Sequence, residues 1–155
     1  MVITVSDRSA RGERADASGP RVAALLTAHG FEVVATVIVP DNRRQIVAAL
    51  RAAARAAALV VTTGGTGCAP RDITPEATAQ VIERAAPGLA EAMRAAGAHK
   101  QPRAWLSRGI AGLYGRSLIL NLPGSPAGAA ESLEAIIEIL PHAIDNAAAA
   151  DHKEA

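Results

Sequence analysis

Residues 59–61 form a short apolar run, and the chain then turns through Gly64, Gly65, Thr66 and Gly67. Glycines admit positive φ and let a ligand approach the backbone closely. Successive bare N–H groups in such a turn form a concavity that suits phosphate oxygens. Pro70, the pair Arg71-Asp72, and a helix start with Thr74 as N-cap and Pro75 at the first helical position follow. A tight turn closing a core strand is the plainer alternative. Known phosphate loops do not fit. A Walker loop needs Lys and Ser/Thr after its last glycine, where this chain has Cys68-Ala69. The dinucleotide fingerprint needs a helix opening where Pro70 stands. An anion site of another type remains.

Two carboxylates complete the chemistry. Asp41 and Asp72 are far apart in sequence, but each follows a strand. Hard cations take carboxylate oxygens, and Mg²⁺ is commonly held by one or two carboxylates plus substrate phosphates. Together they read as Mg²⁺ ligands on the phosphates of a nucleotide. As alternatives, Asp41 could cap the following helix, and Asp72 could form a turn or pair with Arg71. Asp7 and Asp16 are weaker candidates, Asp16 as a solvated loop residue or part of a cap. Ser107-Arg108 offers a bidentate fork for phosphate or an ordinary strand-end pair. His29, His99, His142 and His152 lack metal-ligand spacing, and Cys68 has no nearby histidine to make it a nucleophile.

The elements that must position these groups alternate along the chain. Strands are expected at 2–5, 31–39 and 59–63, and later at 104–110 and 117–121 around the turn Gly112 to Gly115. Helices are expected at 18–29, 42–57, 75–85 and 89–98, with a break at Pro87-Gly88. A last helix is expected with Ser125 as N-cap, Pro126 at its first position, and Leu133, Ile136, Ile137 and Leu140 on its apolar face. This alternation predicts a single-domain α/β fold, a three-layer sandwich with a mostly parallel central sheet. The domain is expected over 1–146, with a frayed tail at 147–155. Ligands of such sheets bind outside the carboxyl ends of the strands. Ser6-Asp7, Pro40-Asp41, the glycine loop and Leu122-Pro123-Gly124 should therefore converge on one edge.

Composition excludes several classes. A net charge of +1 leaves no basic footprint for nucleic acid, and one Phe, one Trp and one Tyr make no stacking platform. A single cysteine excludes an intrachain disulfide. No apolar run reaches membrane-spanning length, and residues 2–5 read as a strand and not as the charged and apolar regions of a signal peptide. A soluble cytoplasmic protein is expected.

The run Thr62 to Thr78, TTGGTGCAPRDITPEAT, resembles the molybdopterin adenylyltransferase family, the MogA/MoaB-like proteins and the gephyrin G domain. The similarity extends to Ile3 to Asp7, Asp16 to Pro20, Val39 to Asp41, Leu106 to Arg108 and Ile119 to Ser125. Members often carry an acidic residue just before the third strand; Ala57-Ala58 stand there, at the strand's far end from the site. The resemblance implies Mg²⁺- and ATP-dependent adenylylation of molybdopterin with release of pyrophosphate, before molybdate insertion by a partner protein. It implies that Asp41 and Asp72 are the key acidic residues and that Gly64 to Gly67 contact phosphate. Ser6, Asp7, Pro123 and Gly124 are further nucleotide candidates, and Ser107, Arg108 and Ser125 are candidates for the pterin phosphate. Relatives suggest a homotrimer, with hexamers in the MoaB branch; the short N-terminus favours the trimer. A non-catalytic pterin-binding or scaffolding member is the alternative, against which intact Asp41 and Asp72 count. A dinucleotide-dependent oxidoreductase would need the missing fingerprint.

Overall fold

The computed structural model describes residues 1–149. Six strands form one sheet in the order β2-β1-β3-β6-β5-β4. They are β1 (Val2–Val5), β2 (Thr36–Val39), β3 (Leu59–Thr63), β4 (Arg84–Ala85), β5 (Ala111–Tyr114) and β6 (Ser117–Leu122). The first four in space are parallel, and β5 and β4 close the far edge antiparallel. The helices are α1 (Asp7–Ala10), α2 (Ser18–Ala28), α3 (Arg43–Ala56), α4 (Thr74–Ala79), α5 (Pro87–Lys100), α6 (Pro126–Glu134) and α7 (Leu140–Ala148).

The period-2 geometry of the central strands builds a core on each face. Val2, Val61, Leu118 and Leu120 pack with Val22, Leu26, Met93, Leu133 and Leu140, so α2, α5, α6 and α7 cover one face. Ile3, Val5, Val60 and Ile119 pack with Ile46, Leu50, Ala77 and Val81, so α3 and α4 cover the other. The expected three-layer sandwich with a mostly parallel sheet is the observed one.

Several boundaries differ. β2 is confined to Thr36–Val39, because its neighbour β1 begins at Val2, opposite Thr36, and the ladder goes no further back than the bond from Val2 N–H to Ala35 O. The helix expected over 75–85 ends at Ala79, and Arg84–Ala85 join the sheet edge. Pro87 and Gly88 open α5 instead of separating helices, since proline suits a first helical turn. The strand expected at 104–110 is instead a 3-10 helix, Pro102–Leu106, leading into an extended segment. Its apolar letters misled: Trp105 and Leu106 are 60% and 61% exposed. The strand is β5, inside the expected turn, where a Cβ on Gly112 would lie 2.7 Å from the Arg84 carbonyl. The last helix is split, with a 3-10 turn, Ile137–Ile139, between α6 and α7. α7 reaches Ala148, inside the stretch expected to fray; residues 150–155 lie outside the described residues.

Candidate functional site

Parallel pairing of β2, β1, β3 and β6 puts four turns side by side at the carboxyl edge of the sheet. Thr63 Oγ1 donates to the Pro123 carbonyl at 2.6 Å, and Gly64 N–H donates to Leu122 O at 3.1 Å, tying the β3 and β6 turns together. The approach is tight. A Cβ on Gly64, at φ 101°, would lie 2.3 Å from the Val5 carbonyl, and one on Gly124 would lie 3.2 Å from Gly64 Cα. Gly65 is also left-handed, at φ 64°, and a Cβ there would meet Thr74 Oγ1 at 2.3 Å. Thr74 is not the N-cap; Ile73 holds that position, and Pro75 falls one residue further into the helix. Instead the Thr74 hydroxyl donates to Gly64 O at 2.8 Å, and its N–H donates to Gly65 O at 3.0 Å, pinning the neck of the glycine loop.

A cavity of about 200 Å³ opens on this edge. Ser6, Asp7, Asp41, Gly64, Gly65, Asp72 and Gly124 all line it. Asp41 does not cap α3; Asn42 does, accepting from Gln45 N–H at 3.2 Å. Asp41 is instead locked to Asp7, Asp7 N–H donating to Asp41 Oδ2 and Asp41 N–H to Asp7 Oδ1, both at 2.9 Å. Asp72 Oδ2 accepts from Ala69 N–H at 2.9 Å, so it does shape a turn. Among the described residues, each of these three carboxylates has one oxygen bound to a backbone N–H and the other unpartnered. Burial pushes the Asp41 carboxyl above its ordinary value, with nearby Asp7 and Asp72 adding to the rise against the Asp7 N–H and Arg71.

Asp16 contrasts with them. Its Oδ2 accepts from Thr4 Oγ1 at 2.6 Å and its Oδ1 from the N–H groups of Ser18 and Gly19 at 3.1 Å each. Both oxygens are used within the protein, so Asp16, one residue before the N-cap Ala17, satisfies the first two N–H groups of α2 and lines the cavity. Arg8, Arg14 and Arg71 also line the cavity. Their guanidinium groups make no hydrogen bond or ion pair among the described residues, which leaves them available to an anion. Nothing in the sequence pattern separates Arg8, at the end of the first strand, or Arg14, in the polar loop after it, from solvated charge.

The remaining candidates lie elsewhere. Thr66 and Gly67 do not line the cavity; their carbonyls accept from Arg108, Thr66 O from its N–H at 2.8 Å and Gly67 O from its Nε at 2.7 Å. Arg108 is not a free fork, because its guanidinium also donates to Asp72 O and Glu76. Ser125 caps α6, accepting from Gly128 N–H at 3.1 Å, as expected. Ser107 faces a small void that Pro123 also lines, and its hydroxyl accepts from Gly109 N–H at 3.4 Å. Cys68 is exposed and its thiol points at the Leu106 carbonyl.

The cavity therefore presents hard oxygen donors, guanidinium groups and glycine backbone among its lining residues, a set that accommodates a cation together with phosphates. Comparison with known proteins is consistent with that chemistry. Residues 1–142 match a family model described as a probable molybdopterin binding domain. The chain belongs to this family. It is 40% identical over 148 residues to the molybdopterin adenylyltransferase of Helicobacter pylori, covering 93% of this chain and 84% of that one. It is 36% identical over 154 residues to gephyrin of Dictyostelium discoideum, covering 92% of this chain and 21% of that much longer protein. The crystal structure of the molybdopterin biosynthesis enzyme MoaB of Thermus thermophilus superposes with a TM-score of 0.88 at 51% identity, covering 94% of this chain and 93% of the other.

Proposed function

We propose that this member of the family is a molybdopterin adenylyltransferase. It converts molybdopterin and ATP to adenylylated molybdopterin and pyrophosphate, a step in molybdenum cofactor biosynthesis. The observation that carries the reading is the cavity in which Asp7, Asp41 and Asp72 each keep one carboxylate oxygen unpartnered beside the glycine turns. A non-catalytic pterin binder would have no need of that arrangement.

Among the described residues no group of three or more His, Cys, Asp or Glu side chains is placed to hold a metal by itself. The fit for Mg²⁺ rests on the unpartnered oxygens of Asp41 and Asp72 in the cavity, since that ion is commonly held by one or two carboxylates and by substrate phosphates. Asp41 and Asp72 are the residues that would hold it. When bound, Mg²⁺ supplies charge neutralisation on the triphosphate and the departing pyrophosphate.

The chain's own groups account for the rest. An oxygen of the terminal phosphate of molybdopterin forms a bond to the α-phosphorus of ATP. The bond from that phosphorus to the bridging oxygen of the β-phosphate breaks, and pyrophosphate carries the electron pair away. Little covalent work falls to the protein, so positioning and preorganised charge dominate. The Gly64 N–H is taken by Leu122 O, so the Gly65 N–H and the guanidinium groups of Arg8, Arg14 and Arg71, which line the cavity, would meet the phosphate oxygens. The family resemblance further supports a homotrimer, a cytoplasmic setting and hand-over of the product to a molybdate-inserting partner. Incubation with molybdopterin, ATP and Mg²⁺ should yield the adenylylated pterin, detected by chromatography. Pterin bound but never modified would contradict the catalytic reading.

A further inference from the structure

The loop between β3 and α4 carries Asp72, and it has no regular structure from Thr66 to Ile73. Within it, Asp72 N–H donates to Ala69 O and Ala69 N–H to Asp72 Oδ2, both at 2.9 Å. Those bonds close a small ring but do not attach it to the body of the protein. Thr74 pins only the neck, at Gly64 and Gly65. One side chain from outside the loop hydrogen-bonds to it among the described residues, and that is Arg108. Its Nε donates to Gly67 O at 2.7 Å, Nη2 donates to Asp72 O, and Nη1 donates to Glu76 of α4. Its backbone N–H donates to Thr66 O at 2.8 Å. The Cys68 thiol reaches back to Leu106 O at 3.6 Å, so the segment before β5 straps the loop at several points.

We propose that Arg108 and Glu76 are positioning residues, a guanidinium-carboxylate clip that fixes the Asp72 carboxylate at the cavity by holding the carbonyls of Gly67 and Asp72. The clip replaces the phosphate-binding role that the Ser107-Arg108 pair suggests in the sequence. A planar fork is what the geometry demands, since three acceptors on two elements must be met at once. Lysine carries its three donors on one nitrogen and lacks the fork that spans these acceptors. The bond to Arg108 also draws the Glu76 carboxyl below its ordinary value, so the pair stays charged at neutral pH.

The activity arm of the test rests on the adenylyltransferase reading; the exchange arm does not. Arg108→Gln, Arg108→Lys, Glu76→Gln and the double variant Arg108→Gln/Glu76→Gln are compared with the parent protein. Amide hydrogen exchange without substrate should quicken at Ala69 and Asp72 in every variant, with β1, β3 and β6 still protected. In the transfer assay, kcat should fall by about 100-fold, the scale on which a displaced group far from the reacting atoms acts. Molybdopterin affinity by equilibrium titration should stay within error, and the double variant should be no worse than Arg108→Gln alone. Unchanged exchange at Ala69 and Asp72 would overturn the clip, even if the parent protein showed no transfer activity. Loss of pterin affinity in Arg108→Gln but not in Glu76→Gln would overturn it too, and would return Arg108 to direct phosphate contact.

Discussion

At the scale of residues, Asp41 and Asp72 are the sharpest test. Asp41→Asn keeps an oxygen able to accept from Asp7 N–H, and it leaves the cap of α3 alone because Asn42 provides that cap. At acid pH, where Asp41 is protonated, thermal stability should barely move, and at neutral pH it should rise slightly as the cost of ionising the buried carboxyl is removed. Adenylylation should fall by about 100-fold or more, the usual cost of removing one preorganised electrostatic contact. Asp72→Asn should be at least as severe in rate, with a small loss of stability from its turn with Ala69. A large drop in melting temperature with the rate preserved would make both residues structural. Asp41 also predicts a pH dependence. Its carboxyl is raised by burial, so the folded protein binds its proton more tightly than the unfolded chain does. The stability this contributes is complete below the ordinary carboxylate value and is lost as pH rises through the folded value. Asp41→Asn should flatten that slope in thermal melts taken from acid to neutral pH. Equal slopes in the two proteins would contradict it. Asp41 was legible as a candidate because it follows a strand, and Asp72 because it sits in the glycine loop after the third strand. Their reciprocal and turn hydrogen bonds were not, since these depend on how neighbouring strand ends meet in space.

At the scale of elements, the glycine loop makes a prediction with a built-in control. Gly65→Val places a side chain at positive φ and against Thr74 Oγ1. It should cost about 1–3 kcal/mol in stability from backbone strain alone and abolish nucleotide binding. Gly30 is also left-handed, at φ 83°, but a Cβ there meets nothing within 4 Å. Gly30→Ala should cost about 1–2 kcal/mol and leave nucleotide affinity untouched. Isothermal titration with ATP checks both; equal affinity in Gly65→Val and the parent protein would reduce the loop to a turn. The loop could be read from its letters because three glycines in four positions have few other uses. The segment 102–114 could not, because Trp105 and Leu106 look like strand interior while Pro102 starts a 3-10 turn. β4 was equally hidden, since two residues, Arg84 and Ala85, pair with β5 without any apolar pattern of their own.

At the scale of the whole molecule, the alternation of strand and helix foretold both the sandwich and its mostly parallel sheet. The antiparallel edge escaped because β4 is two residues long and β5 sits where a turn was expected. Trimer formation is a further expectation at this scale. Light scattering across the micromolar range should give three times the 15.8 kDa of the chain, and a monomer throughout would refute it. The account stands or falls on the bond that is cut. ATP labelled at the α-phosphorus, incubated with the protein, molybdopterin and Mg²⁺, should transfer its label into the pterin product, while a γ label should appear in pyrophosphate. Label released as ADP and free phosphate, or ATP consumed at the same rate without pterin, would contradict it.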